Sequence, residues 1–155
     1  MNFETVDETQ EILLRTRIIA EAHKLLNVKF AHRGRTRHGL DCAGFVYLSY
    51  RRANIDVPSG DGRIYEPTWY MFVKSGDQRY LNNILKYFRY IDTPKIGDLL
   101  SFKFHGDVIT HTGILDKNNQ FIHAESGRCV KLTDLNHRFY KNAFYRYLRH
   151  QIFVD

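Results

Sequence analysis

Cysteine is scarce in this sequence, with Cys42 and Cys129 the two in 155 residues. Two thiols in unlike surroundings do not make a disulfide framework, and they read as one functional thiol and one ordinary residue. Zinc-ligand spacing is missing too. Neither cysteine belongs to a C-x-x-C pair, and His32, His38 and His105 form no H-x-x-x-H pair, so neither a metal nor a cofactor is expected. Long apolar runs are also lacking. Met1 to Gln10 is acidic and polar, and Arg15 and Arg17 interrupt the apolar positions that follow. That pattern predicts neither a signal peptide nor membrane insertion, and it describes a chain made in the cytoplasm. With no internal repeat, low-complexity run or linker, residues 1–155 read as a single domain.

What is present is typical of a globular core, with 43% hydrophobic and 14% aromatic residues. The net charge of +6 favours an anionic partner such as cell-wall polymer, nucleic acid or lipid headgroups, without choosing among them.

Ile12, Leu13, Ile18, Ile19, Ala22, Leu25 and Leu26 recur at helical spacing, which predicts an amphipathic helix over residues 9–26. Val28 to Gly39 is basic and glycine-containing and reads as a loop. Asp41 is a good N-cap for a second, mostly apolar helix from Cys42 to Ala53. Pro58 to Gly62 is a breaker cluster, and Arg63 to Tyr90 is irregularly helical, with its clearest stripe at Leu81, Ile84, Leu85 and Phe88. Strands are predicted at 98–104, 108–115, 120–124, 128–132 and 144–153. Helices followed by strands give an α+β order, with N-terminal helices packed on a central antiparallel sheet.

His137 to Lys141 and Phe144 to Arg149 interleave bases with aromatics, as single-strand binders do. A half-buried strand gives the same alternation, and no nucleic-acid motif accompanies it, so no nucleic-acid partner is expected.

The candidate chemistry lies in Asp41-Cys42-Ala43-Gly44, in Thr110-His111-Thr112-Gly113-Ile114 and in Phe121-Ile122-His123-Ala124. A cysteine in the first turn of a helix has its thiolate favoured by the helix N-terminus, and its backbone N–H can face an oxyanion. The plain alternative is a small buried hydrophobe. His111 and His123 share a sheet face only if paired residue numbers sum to an even value, with 111 opposite 123 or slipped by two. That register requires a connecting loop of odd length, and Asn118 and Asn119 suit its left-handed positions. In such a pair His111 takes the proton from Cys42, and His123 accepts a hydrogen bond from the second ring nitrogen of His111 and fixes its tautomer. Two ordinary sheet histidines remain the alternative.

Together with Ile96-Gly97-Asp98-Leu99-Leu100, these motifs resemble the NlpC-type cell-wall peptidases over about Arg17 to Phe153. The loop Ala31-His32-Arg33-Gly34-Arg35 and the stretch Cys129 to Tyr147 are similar to the phage-tail branch. The resemblance implies a papain-like fold and a cysteine peptidase that cleaves stem-peptide amide bonds of peptidoglycan. By position it makes Cys42 the nucleophile, His111 the base and His123 the orienter. Asp41 is then a candidate to hold a substrate ammonium, His32 to line the cleft, and Trp69 to form an aromatic wall; residues 63–90 would border the cleft. Stem peptides and phage-tail proteins are the implied partners. The implied site of action is the cell wall, reached in a virion or through a secretion machine.

The chain departs from the family pattern at two places. Phe30 stands where the family usually has a tyrosine whose hydroxyl lies near the nucleophile, and Asn27-Val28-Lys29 precede it in place of glycine-threonine-proline. A donor on the oxyanion side is therefore missing or comes from elsewhere. Ala43 replaces the commonest serine, which removes a substrate contact. Two other functions compete with hydrolysis: a thiol acyltransferase of the same fold, and a non-enzymatic basic binding or assembly module with a decayed site.

Overall fold

A computed structural model of the chain describes residues 3–60, 69–104 and 106–155. Helix α1 spans Glu8–Lys24 and opens on a capping box. Asp7 accepts from the Gln10 backbone N–H at 2.8 Å, and the Gln10 side chain accepts from the Asp7 N–H at 3.2 Å. Its buried face is Glu11, Arg15, Ile18 and Ala22. Ile12 and Leu13, counted in the apolar stripe, are instead 62% and 61% exposed. Two charged residues take the inward positions because they have partners there: Arg15 reaches Glu11 at 2.8 Å and Asp98 at 2.9 Å.

The basic segment read as a loop holds a small hairpin, β1 (Arg35–Thr36) with β2 (Gly39–Leu40). Helix α2 then runs Cys42–Arg52, close to its predicted limits. Short helices α3 (Trp69–Lys74) and α4 (Arg79–Ile84) follow, and β3 (Phe88–Ile91) ends this stretch. The stripe through Phe88 suggested a helix running on to Tyr90. The last residues instead pair with the C-terminal strand, Phe88 opposite His150 and Tyr90 opposite Leu148.

Strands β4 (Leu99–Phe102), β5 (His111–Leu115), β6 (Gln120–Ala124) and β7 (Val130–Asp134) form a meander. Helix α5 (Arg138–Ala143) leads into β8 (Phe144–His150). The base–aromatic run at 137–141 is thus largely helical, a correction to its reading as a strand, whereas 144–150 is a strand as expected. The six-stranded sheet has the order β3-β8-β4-β5-β6-β7, with every pair antiparallel. The α+β expectation therefore holds.

Alternation along the central strands divides two cores. Leu99, Ile114, Ile122 and Ala124 face α1 and α2 in the larger one. Leu100, Phe102, Leu115 and Phe121 face α5 on the other side. Ahead of β4, the Asp98 carboxylate receives Arg15 from α1, Arg149 from β8 at 2.8 Å, and the Lys95 backbone N–H at 2.7 Å. The Gly97-Asp98 motif thus ties α1 to the sheet. Among the described residues, no helix is long and apolar enough to cross a membrane.

Candidate active site

Asp41 caps α2. Its Oδ1 accepts the Gly44 N–H at 2.8 Å and Arg35 Nη1 at 2.6 Å, and its Oδ2 accepts the Arg33 N–H at 2.8 Å. Arg35 also donates to the carbonyls of Ser59 and Gly60, each at 2.6 Å. The Asp41 carboxylate is therefore committed to the cap and to the half-buried Arg35 guanidinium, which disfavours the substrate-ammonium role. Gly44 is required for close approach, since a Cβ there would meet the Gly34 carbonyl oxygen at 1.9 Å.

This cap sets Cys42 in the first turn of α2, buried and on the wall of a cleft of about 560 Å³. Its Sγ lies 3.6 Å from the Thr110 carbonyl oxygen and 3.6 Å from the Tyr80 hydroxyl. Thr110 immediately precedes β5, so the sulfur sits where that strand begins, and His111 lines the same cleft.

The hairpin register meets its test. Ile114 pairs with Ile122 and Leu115 with Phe121, an even sum, so His111 and His123 share a face two residues out of direct opposition. Asn118 and Asn119 occupy the left-handed region with φ of 58° and 57°, and the Asp116 N–H donates to the Gln120 carbonyl across the loop at 2.8 Å. Gly113 lies opposite His123 in this register. A Cβ at 113 would come within 2.8 Å of the Phe121 ring and 3.2 Å of the His123 Cβ, so its absence makes room for the pair.

The two rings meet with His111 Nε2 to His123 Nδ1 at 2.8 Å. His123 Nε2 in turn lies 2.9 Å from the Thr133 hydroxyl on β7. The contacts fit two tautomer assignments, and the one that turns a base towards the cleft has His111 Nε2–H donating to His123 Nδ1 and His123 Nε2–H donating to the Thr133 hydroxyl. It leaves His111 Nδ1 as the unprotonated nitrogen.

Aromatic rings enclose both imidazoles. Phe102 and Phe104 stand 5.7 and 5.4 Å from His111, and Phe121 and Tyr140 stand 4.6 and 4.9 Å from His123. Burial in this setting pushes His111 down to about 3 and His123 to about 2, the latter helped by repulsion from His111 and Lys131. Both are neutral at physiological pH.

The rest of the cleft is largely apolar, walled by Phe30, Val73, Phe104, Val108, Ile109 and Phe139. Its charged groups come mostly in pairs, with Arg79 on Asp77 at 2.9 Å and Lys131 on Glu125. His32 is exposed on the rim, as its loop position suggested. Trp69 opens α3, but its side chain lies outside the described residues. Sequence reasoning missed Tyr80 and Thr133. Thr133 was within reach of the parity argument, since β7 pairs with β6 and places it on the His123 face; Tyr80 carried no signal. Among the described residues no cluster of three or more His, Cys, Asp or Glu could hold a metal ion.

The NlpC/P60 family model matches residues 27–149. The chain is 29% identical over 119 residues to the probable endopeptidase NlpC of Escherichia coli, covering 76% of this chain and 66% of that protein. It is 26% identical over 130 residues to the probable peptidoglycan endopeptidase LytE of Bacillus subtilis, covering 83% of this chain and 32% of LytE. The chain thus spans about a third of one relative's length and about two thirds of the other's. A crystal structure of an NlpC/P60 family protein from Bacillus cereus shares the fold, with a TM-score of 0.66 at 20% identity over 88% of this chain and 40% of that one. By fold and by a family match running from before Cys42 to the last strand, the chain belongs to the NlpC/P60 family.

Proposed function

We propose that this protein is a cysteine endopeptidase that hydrolyses amide bonds in peptidoglycan stem peptides. The observation that carries the reading is Cys42 at a helix N-terminus on the wall of the cleft that a neutral His111 also lines, with His111 joined to His123 and His123 to Thr133. The name of the relative from Bacillus subtilis supplies the substrate class.

In this mechanism the Cys42 thiol gives its proton to His111 Nδ1 as Sγ attacks the amide carbonyl. The Cys42 backbone N–H, one of the first-turn donors that an α-helix leaves outside its ladder, faces the oxyanion. His111 then passes the proton to the leaving amine, and a thioester remains on Cys42. Water attacks the thioester and yields its proton to His111, the acid product leaves, and the proton returns to the sulfur. His123 holds the transient imidazolium in place through Nδ1, and Thr133 holds His123.

The apolar walls of the cleft favour a second reading, a thiol acyltransferase whose thioester is taken up by an amine or lipid rather than water. Digestion of purified muropeptides, with and without an added amine, separates the two by mass spectrometry. Free acid and amine fragments support hydrolysis. An amide to the added amine supports transfer, and intact substrate under both conditions rejects both readings and leaves the basic binding module. The resemblance of the loop at 31–35 and of the stretch Cys129 to Tyr147 to the phage-tail branch supports carriage in a tail. We accordingly extend the proposal to an enzyme carried to the wall in a virion, with tail proteins as partners.

A further inference from the structure

Tyr80 stands on α4, outside every motif that located the site, yet it touches the sulfur. It is buried, with its hydroxyl 3.6 Å from Cys42 Sγ and 2.6 Å from the Thr112 hydroxyl. Thr112 lies between His111 and Gly113 on β5 and points to the α2 side of the sheet, so the phenol bridges the nucleophile's helix and the histidine strand. The ring of Phe30 lines the same cleft but carries no hydroxyl.

We propose that Tyr80 is a catalytic hydrogen-bond donor in this chain, its phenol turning to the Cys42 sulfur as the thiol becomes a thiolate while the Thr112 hydroxyl donates to the phenol oxygen. This rests on Cys42 being the reactive thiol of the proposed function. The hydrogen-bond inventory supports a switch. Both hydroxyls can donate and accept, so the resting thiol can donate to the Tyr80 oxygen, and the thiolate can receive the Tyr80 O–H with no change in heavy-atom positions. The proton that leaves sulfur goes to His111, and the phenol keeps its own throughout. Burial and the nearby sulfur hold the phenol well above its ordinary range, so it acts as a donor and not as an acid.

Among the described residues, the other charged groups on the cleft walls do not duplicate this role. Asp41 is capped and paired, Arg79 pairs with Asp77, Glu125 pairs with Lys131, and His32 sits on the rim.

The test is the pH profile of Cys42 alkylation by iodoacetamide in a Cys129→Ser background. Tyr80→Phe removes one oxygen and keeps the ring. Loss of a hydrogen bond to a charged sulfur moves the alkylation midpoint up by about one pH unit and slows labelling at neutral pH about tenfold. Tyr80→Phe combined with Thr112→Val, which leaves no orphaned hydroxyl, shows the same shift and guards against a folding artefact. Thr112→Val alone keeps the phenol and shifts labelling by less than about threefold. An unmoved profile in both Tyr80→Phe variants overturns the proposal, as does an equal shift in Thr112→Val alone. Muropeptide hydrolysis is followed in parallel, where kcat falls and KM is unchanged. A shifted alkylation profile in a protein that cleaves no muropeptide would sink the hydrolase reading and leave Tyr80 as the partner of the thiolate.

Discussion

Thr133→Val is the substitution that most sharply tests the histidine relay. The exchange nearly preserves shape, removing one hydroxyl from a buried strand position and leaving the His123 Nε2–H, 2.9 Å away, without its acceptor. An unmade buried hydrogen bond of this kind costs about 1–3 kcal/mol, which lowers Tm by about 4–8 °C in a domain of this size when the cost is near 2 kcal/mol. A larger effect falls on activity. Without Thr133, His123 has no partner that favours a proton on Nε2, and the tautomer with the proton on Nδ1 opposes the His111 Nε2–H across 2.8 Å. His111 then carries its proton on Nδ1, where the thiol needs a base. A tautomer penalty near 1.4 kcal/mol is a tenfold loss of kcat, with KM little changed. Thr133→Ser restores the acceptor and recovers most of the rate. The assay is muropeptide hydrolysis alongside thermal unfolding. A valine variant with wild-type kcat and wild-type Tm refutes the relay.

Acid should destabilise the fold through a buried histidine. His150 is buried with Nε2 on the Asp56 carbonyl at 2.7 Å and Nδ1 accepting the Ile152 N–H at 3.1 Å, an arrangement that only the neutral ring satisfies, and burial pushes it down to about 4. Its folded pKa lies below the unfolded value near 6.5, so the unfolded chain binds more protons and this stability is present above pH 6.5 and lost as pH falls towards 4. At pH 5 the loss from His150 alone is about 2 kcal/mol, with His111 and His123 acting in the same direction, and Tm measured at pH 7 and pH 5 checks it. Asp98→Ala strands Arg15 and Arg149, buried beside it, and should cost about 3–5 kcal/mol in denaturant unfolding. A loss under 1 kcal/mol would show that the ionic cluster does not hold α1 to the sheet.

The parts of the site legible in the sequence were those governed by local periodicity. Asp41 announced the start of α2, because capping depends on a side chain within one turn of its target. Strand parity and two asparagines suited to the turn allowed the His111–His123 pair without requiring it, and the register then brought the two rings together. The misses have physical causes. Arg15 faces inward because Asp98, more than 80 residues away, receives it, and Glu11 because Arg15 and Lys95 donate to it, and no helical stripe encodes either. Phe88 continued a helical pattern yet became a strand because β8 offered an open edge. His137 to Lys141 interleaves bases with aromatics, yet the chain coils from Arg138, burying Tyr140 and Ala143 three apart against the second core. Tyr80 reaches Cys42 through a tertiary approach of two segments whose separation in sequence carries no signature.

The central claim is that Cys42 is the nucleophile, and Cys42→Ala tests it most directly. The alanine variant should keep the wild-type unfolding profile and release no cleaved muropeptides under conditions where the wild-type chain digests them to completion. A Cys42→Ala protein that digests cell walls as well as wild type would contradict the account.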